Sequence, residues 1–287
     1  MNYFIIMFLP VWLFASQITV QVLGSGGPEH GERASASYLI KKDEKGIILV
    51  DFGAGALLRY GQAKSKIEDL QAVIFTHLHI DHVVELPALL KAGYFSSRCS
   101  SLNLIGPSGN DFFPGFNEFI QLNFGENGAY RYMSDMLTQN SDSFSLKTFE
   151  VDQAKHFDFS DFRITAAEVN HGIVPALAYK IEIDGKVIVF SGDTSAKSEA
   201  LTNLSKGADI LIAHHAIAQE GNKGARQLHM RPSRIAEIAK KAKVKRLLLS
   251  HRMKRTIGRE NTHQKLMQKV YKGEILWAED LMQIKLP

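Results

Sequence analysis

In Thr76-His77-Leu78-His79-Ile80-Asp81-His82, three imidazoles and a carboxylate fall within six residues. These are the side-chain types that ligate zinc and similar first-row cations. The segment follows a short apolar run at residues 72–75 and precedes residues 83–92, whose apolar positions have helical spacing. In extended chain His77 and His79 project to the same side. Asp81 is placed to begin the next helix, and His82 lies in its first turn. Burying such a cluster between a strand and a helix is costly unless a cation satisfies it.

Three further candidates stand just after expected strands: His171 behind residues 162–169, Asp193 behind residues 187–190 and His251 behind residues 244–249. Singly, a histidine or aspartate in such a place is commonly a cap or a hydrogen-bonded loop residue. Together they supply a third ligand for each of two metals and one carboxylate to bridge them. Two cations roughly 3.5–4 Å apart, bridged by a carboxylate and a hydroxide, form a hydrolytic centre.

The elements that must position these groups alternate along the chain. Residues 18–23 read as a strand closed by Gly24-Ser25-Gly26-Gly27-Pro28, and residues 37–41 and 46–51 as strands around a polar turn. Residues 54–62 look helical, residues 102–105 form another strand, and the aromatic-rich residues 110–137 read as interrupted helix. Residues 176–183 and 186–190 flank Asp184-Gly185, a strong hairpin signal. The continuous apolar runs 210–213 and 247–249 suit strands covered on both faces. Pro232 opens a helix with Ile235, Ile238, Ala239 and Ala242 on one face, and Gly273 stops a last helix at residues 260–271. The pattern predicts two sheets sandwiched between helices, with the site at strand ends.

The chain has 287 residues, 45% hydrophobic and 22% charged, with 22 Gly and 8 Pro. That is globular composition and excludes a disordered or fibrous chain. No stretch reaches the roughly 18 unbroken apolar residues of a membrane span, which excludes integral membrane association. A single cysteine, Cys99, excludes intrachain disulfides and multi-cysteine zinc sites. The uncharged apolar run at residues 3–15 has the length of a signal-peptide core. It predicts export, periplasmic or secreted, with residues 1–17 removed and residues 18–287 as the mature domain; if the run is not a signal peptide but a buried first strand, the chain would be cytoplasmic. Net charge is +4, yet residues 231–273 carry fourteen Lys/Arg against Glu237 and Glu260. Such a lobe either steers anionic ligands or is a solvated surface.

With these motifs the chain resembles the metallo-β-lactamase superfamily across nearly all of residues 18–287. The resemblance rests on His77-x-His79-x-Asp81-His82 followed in order by His171, Asp193 and His251. It implies an αββα sandwich holding two Zn²⁺, with Mn²⁺ or Fe as substitutes. It assigns His77, His79 and His171 to one metal, Asp81, His82 and His251 to the other, and Asp193 to both. Asp81 enters the catalytic set, and Asp51 in Val50-Asp51-Phe52-Gly53 supports the histidine loop from behind.

An aspartate at 193, the segment Leu23 to Pro28, Asn170-His171-Gly172 and Leu211-Ile212-Ala213-His214-His215-Ala216 are similar to the ribonuclease Z and arylsulfatase-like group. That likeness implies a dinuclear hydrolase of an anionic ester, a phosphodiester or sulfate ester, attacked by a metal-bridging hydroxide. It places His229 beside the centre as proton donor to the leaving group, a role typically worth roughly 10²–10⁴-fold, with His215 in the position of the group's glutamate partner. One of His214 and His215 is expected to be only a hydrogen-bonded histidine. His30, His156 and His263 read as surface or turn residues. Arg252, ahead of Lys254 and Arg255, is a candidate for binding the substrate anion.

Two alternatives stand beside this reading: a β-lactamase or lactone hydrolase of the same fold, and a metal-dependent nucleic-acid-binding protein without catalysis. The glycine- and proline-rich arm that grips transfer RNA is not evident, so a small anionic substrate is favoured over nucleic acid. A dimer is compatible with the group, though no residue pattern fixes the oligomeric state.

Overall fold

A computed structural model describes residues 16–138, 141 and 143–287. The apolar run at residues 3–15, on which export rests, lies outside them. Among the described residues no helix is long and apolar enough to cross a membrane.

The first half contributes β1 (Ile18–Gly24), β2 (Ser37–Lys42), β3 (Lys45–Phe52), α1 (Ala56–Gln62), β4 (Ala72–Ile74), α2 (Ile80–Val83), α3 (Leu86–Tyr94), β5 (Leu102–Pro107), α4 (Phe116–Phe124) and β6 (Leu146–Val151). The second contributes β7 (Lys155–Asp158), β8 (Phe162–His171), β9 (Val174–Ile183), β10 (Lys186–Phe190), α5 (Ala200–Leu204), β11 (Ile210–His214), α6 (Lys223–Leu228), α7 (Pro232–Lys241), β12 (Arg246–Ser250), α8 (Glu260–Gln268), β13 (Glu274–Trp277) and β14 (Gln283–Leu286). Two seven-stranded sheets result, ordered β14-β1-β2-β3-β4-β5-β6 and β13-β12-β11-β10-β9-β8-β7. Each is antiparallel in its hairpins and parallel from β3 to β6 and from β10 to β13.

Strand alternation builds three apolar layers. Val20, Tyr38, Ile40, Ile48 and Ile74 of the first sheet meet Ile181, Phe190, Ile212 and Leu248 of the second. The outward residues Leu39, Leu49 and Val73 pack on Tyr60 of α1, Leu89 and Leu90 of α3 and Ile120 of α4. Val189, Leu211 and Leu247 pack on Ile235, Ile238 and Ala239 of α7. This is the expected αββα sandwich. The Asp184-Gly185 turn has both residues at positive φ, 45° and 75°, the left-handed pair a two-residue hairpin requires.

Two expectations change. The helix read over residues 83–92 is broken at Glu85, whose carboxylate accepts the N–H groups of Gly55 and Leu57 at 2.6 Å and so fastens the start of α1. Strands β6, β7, β13 and β14 and helices α5 and α6 were not expected. All are six residues or shorter and none is buried along its whole length, so their periodicity is faint.

Candidate metal centre

The site gathers where β3, β4, β8, β10, β11 and β12 end, the face at which open α/β sheets present ligand-binding groups. It begins with a bulge. Ser37 pairs with Phe52 and Tyr38 with Val50, which leaves Asp51 as an extra residue in β3 at φ 55°. A bulge re-aims its side chain, and here the buried carboxylate turns into the site. It accepts from the Thr76 amide at 2.7 Å and from the Thr76 hydroxyl and His82 Nδ1, each at 2.8 Å. The Thr76 oxygen in turn accepts from His77 Nδ1 at 3.1 Å. His77 and His82 therefore carry their protons on Nδ1 and present Nε2 lone pairs inward, as a residue supporting the histidine loop from behind would require.

Two groups of facing atoms follow. His77 Nε2 lies 2.9 Å from His79 Nδ1, which lies 3.3 Å from His171 Nε2. His171 donates through Nδ1 to the Leu228 carbonyl at 2.8 Å, so its Nε2 also carries a lone pair. Asp193 Oδ2 stands 3.9 Å and 3.8 Å from the Nε2 atoms of His77 and His171. In the second group the same oxygen stands 3.9 Å from His82 Nε2 and 3.6 Å from His251 Nε2. Asp81 Oδ2 closes this side at 3.2 Å from His251 Nε2 and 3.5 Å from His82 Nε2.

Candidate ligand atoms of His77, His79, His171 and Asp193, and of His82, Asp193, His214 and His251, lie within 4.8 Å of one another. The residues fit divalent metal ions. His82 Nε2 is buried without a hydrogen-bond partner among the described residues, and converging lone pairs repel unless something positive sits between them. Asp193 belongs to both groups. Burial alone would raise its pKa, but His251, His229 and the hydrogen bond from His214 hold it well below the usual carboxylate range. His251 is held at φ 54°, and a Cβ on Gly27 would meet its Cε1 at 2.8 Å; only glycine lets that backbone approach the imidazole.

The structure separates the two adjacent histidines. In β11, Ile210 and Ile212 face the inter-sheet core while Leu211 and Ala213 face α7. Alternation sends His214 inward and His215 outward. His214 Nδ1 donates to Asp193 Oδ1 at 2.8 Å, and its Nε2 lies 3.1 Å from the Tyr38 hydroxyl. It orients the shared carboxylate, and period-two counting along residues 210–214 would have found it.

His215, expected to partner His229, instead packs against the rings of His263 and Trp277, at centroid distances of 4.9 Å and 5.3 Å. Among the described residues neither of its ring nitrogens has a hydrogen-bond partner. His263, read as a surface residue, is buried with it on the face of α8 that carries Met267. Arg252 is also corrected. Its guanidinium is buried and held by Glu260, by Glu279 at 2.5 Å and by the Ala278 carbonyl at 3.1 Å. It braces the loop behind His251, and its charge is matched by two carboxylates instead of standing free for a substrate anion. His30 and His156 are exposed.

His229 caps the end of α6, three residues before Pro232, with Nδ1 3.7 Å from Asp193 Oδ2. Burial pushes its pKa down to about 3, with Asp193 acting in the opposite direction. His215 is turned away, and of the two opposing effects on His229 burial outweighs Asp193. The expectation of a charged proton donor gives way to a neutral imidazole.

His215 makes a stability prediction. Burial, with His263 and Arg252 adding to it, pushes its folded-state pKa down to about 3 from 6.5. Between those values the unfolded chain binds the proton and the folded chain does not. The stability from neutral His215 is thus complete above pH 6.5 and is lost as pH falls toward 3, about 2 kcal/mol by pH 5. In urea unfolding at pH 7.5, 6 and 5, His215→Gln should flatten the wild-type loss by that amount; parallel curves would refute the assignment.

Residues 18–276 match the family described as anti-Pycsar protein Apyc1. In sequence the chain is similar to a ribonuclease Z from Mycobacterium bovis, 27% identical over 288 residues that cover 94% of this chain and 98% of the relative. In fold it is similar to the metallo-β-lactamase fold protein YhfI from Bacillus subtilis, with a TM-score of 0.76 and 23% identity across 94% of this chain and 99% of that one. The short form of human tRNase Z gives a TM-score of 0.72 and 23% identity, covering the same shares of the two chains.

Proposed function

Because the chain belongs to the anti-Pycsar protein Apyc1 family and is a hydrolase of the metallo-β-lactamase superfamily, in its ribonuclease Z group, we propose that it hydrolyses a phosphodiester with two divalent cations, zinc first. The observation that carries this reading is the Asp193 carboxylate, shared by two groups of ligand atoms. The ribonuclease Z likeness favours phosphorus over the sulfur and carbonyl centres also expected from the sequence. Manganese or iron would suit the same nitrogen and oxygen atoms. Export, supported by the apolar run at residues 3–15 alone, stays part of the proposal.

His77, His79 and His171 would hold one cation, and Asp81, His82 and His251 the other, with Asp193 between them. Cations held there would supply an acidified water and withdraw charge from the scissile group. Asp51 and Thr76 fix the orientation of His77 and His82, and His214 fixes that of Asp193. His229 faces the centre as a neutral N–H donor suited to the departing oxygen. Arg255, whose charge acts on His229, has no carboxylate partner among the described residues, unlike Arg252. Its Nε donates to the Ala216 carbonyl at 2.6 Å, which fixes the guanidinium beside β11.

The test is a panel on zinc-loaded protein: bis-p-nitrophenyl phosphate, p-nitrophenyl sulfate, a lactone, a chromogenic cephalosporin and a precursor transfer RNA. Turnover of the phosphodiesters above the others is expected, and a cephalosporin or lactone preference would replace the reading by the lactam alternative. Binding of RNA with no turnover of any substrate would support the non-catalytic alternative. On diesters that share one phosphoryl part, His229→Ala should cost about 10- to 100-fold with an alkoxide leaving group, the worth of one hydrogen bond to developing charge. With nitrophenolate it should cost several-fold less. Equal losses would assign His229 to structure.

A further inference from the structure

At the end of the sandwich opposite the candidate metal centre, α1, α5, α7 and α8 each lead into the start of the next strand. The segments there carry exposed Lys64, Lys206, Lys243, Lys269 and Lys272, with Lys240 in the last turn of α7. Among the described residues none of the six has a carboxylate partner, whereas Lys241 and Lys245 beside them are matched by Glu199 at 2.8 Å and Asp209 at 2.7 Å. Helix C-termini favour cations, which accounts locally for Lys240 and Lys269. It does not account for Lys64 and Lys243. Each follows the C-cap of its helix at φ 53° and 54°, the left-handed place that helices usually give to glycine. At both, a lysine is kept in a backbone conformation that glycine would adopt without strain. The loops are also fastened together. The Gly207 amide donates to the Ala242 carbonyl at 2.8 Å, the Lys245 amide to the Ala208 carbonyl at 2.9 Å and the Tyr271 hydroxyl to the Val244 carbonyl at 3.1 Å. The charges are therefore presented from a fixed surface.

The described chain enters at the same end. Ile18 pairs with Leu286 and Lys42, the Ser16 hydroxyl donates to Asp184, and the Gln17 amide donates to Asp43 at 2.9 Å. The uncharged apolar run at residues 3–15 is thus attached to the lysine-bearing end, and the metal centre faces the other way. The run is too short to span a bilayer. Anchors that do not span hold a membrane weakly, and a basic patch is the second signal that makes the attachment stable. We propose that this end docks on an anionic lipid surface, with residues 3–15 entering the boundary between headgroups and acyl chains and the six lysines lying on the lipid phosphates. The metal centre then opens toward water. The run is taken as kept on the chain, whether or not it also directs export, and the proposal does not depend on which bond is hydrolysed. Lipid is favoured over nucleic acid because the exposed aromatic rings, Tyr94, Phe95, Phe112, Tyr130 and Tyr132, all lie outside these segments. Bases would find nothing there to stack on, and lysine is a point charge without the planar fork of arginine.

The experiment is sedimentation of the full-length chain with vesicles of phosphatidylcholine alone or with about 30% phosphatidylglycerol. The chain should bind the anionic vesicles about 100-fold more tightly, and the preference should shrink as salt rises. Each lysine near such a surface is worth about fivefold in affinity. The triple variant Lys206→Gln, Lys243→Gln, Lys269→Gln should therefore keep less than about a tenth of the preference, with circular dichroism unchanged. Phe8→Asp with Leu13→Asp should weaken binding to both kinds of vesicle by about tenfold or more, because it charges the apolar run. Equal binding to the two kinds of vesicle overturns the proposal, as does a triple or a run variant that binds like wild type. Intact mass of the native protein should include residues 1–15, and a chain beginning between Ser16 and Ile18 also overturns it. Tighter binding of poly(U) RNA than of anionic vesicles, lost in the triple variant, would give this end to nucleic acid instead.

Discussion

Asp193→Ala is expected to lower kcat/KM by on the order of 10³-fold or more and to reduce bound zinc from about two equivalents to below one. Its carboxylate stands within 3.9 Å of the inward nitrogens of His77, His82, His171 and His251. Removing it deletes a ligand from both groups and the negative charge that the imidazoles share. Cation chemistry in such centres contributes several kcal/mol to the transition state, and each ~1.4 kcal/mol is tenfold in rate. The fold should persist, because Asp193 lies past the end of β10 and outside the apolar layers. Elemental analysis, circular dichroism and turnover of bis-p-nitrophenyl phosphate check the three statements together. A variant that keeps two equivalents of zinc would end the shared-carboxylate model.

The second large effect is expected from a residue that would touch no cation. Asp51→Asn keeps shape but replaces one acceptor oxygen with an NH₂ group. Asp51 receives three donors, from the Thr76 amide, the Thr76 hydroxyl and His82 Nδ1, and an asparagine oxygen cannot serve all of them in that geometry. His82 would be pressed toward the opposite tautomer, with its proton on the nitrogen that faces Asp193. Losses of this kind typically cost about 10- to 100-fold in metal affinity. Competition with a chelator should show that drop, with a matching loss of rate at limiting zinc that excess zinc partly restores. Unchanged affinity would show that the bulge serves only the fold.

The sequence made some of this arrangement legible and hid the rest for physical reasons. His77, His79, Asp81 and His82 announced themselves because four ligand-type side chains in six residues have no inexpensive way to be buried. His171, Asp193 and His251 were readable because each follows an apolar run long enough to be a strand. The strand pairing that creates the Asp51 bulge was not readable: it depends on the partner strand β2, and no local pattern carries it. His214 and His215 differ only in parity along β11, which becomes informative once the boundaries of the strand are known. Arg252 looked like an anion binder because its neutralising partners, Glu260 and Glu279, lie 8 and 27 residues away in sequence.

The centre is recruited from both halves of the sandwich. Asp51 and the His77–His82 loop belong to the first sheet, and His171, Asp193 and His251 to the second. Elsewhere the two sheets meet mainly through apolar packing, with β14 returning alongside β1 and Lys42 paired to Asp161 and Asp184 at the far end. Bound cations would therefore act as a rivet across one edge of the molecule, stabilising the closed form by mass action. Cation starvation would loosen that edge first, leaving the opposite end of the sandwich shut. Proteases act on whatever fraction of a chain is transiently open, so the lifetime of this protein in its surroundings would follow the local supply of metal, and the same atoms that set its activity would also set its abundance.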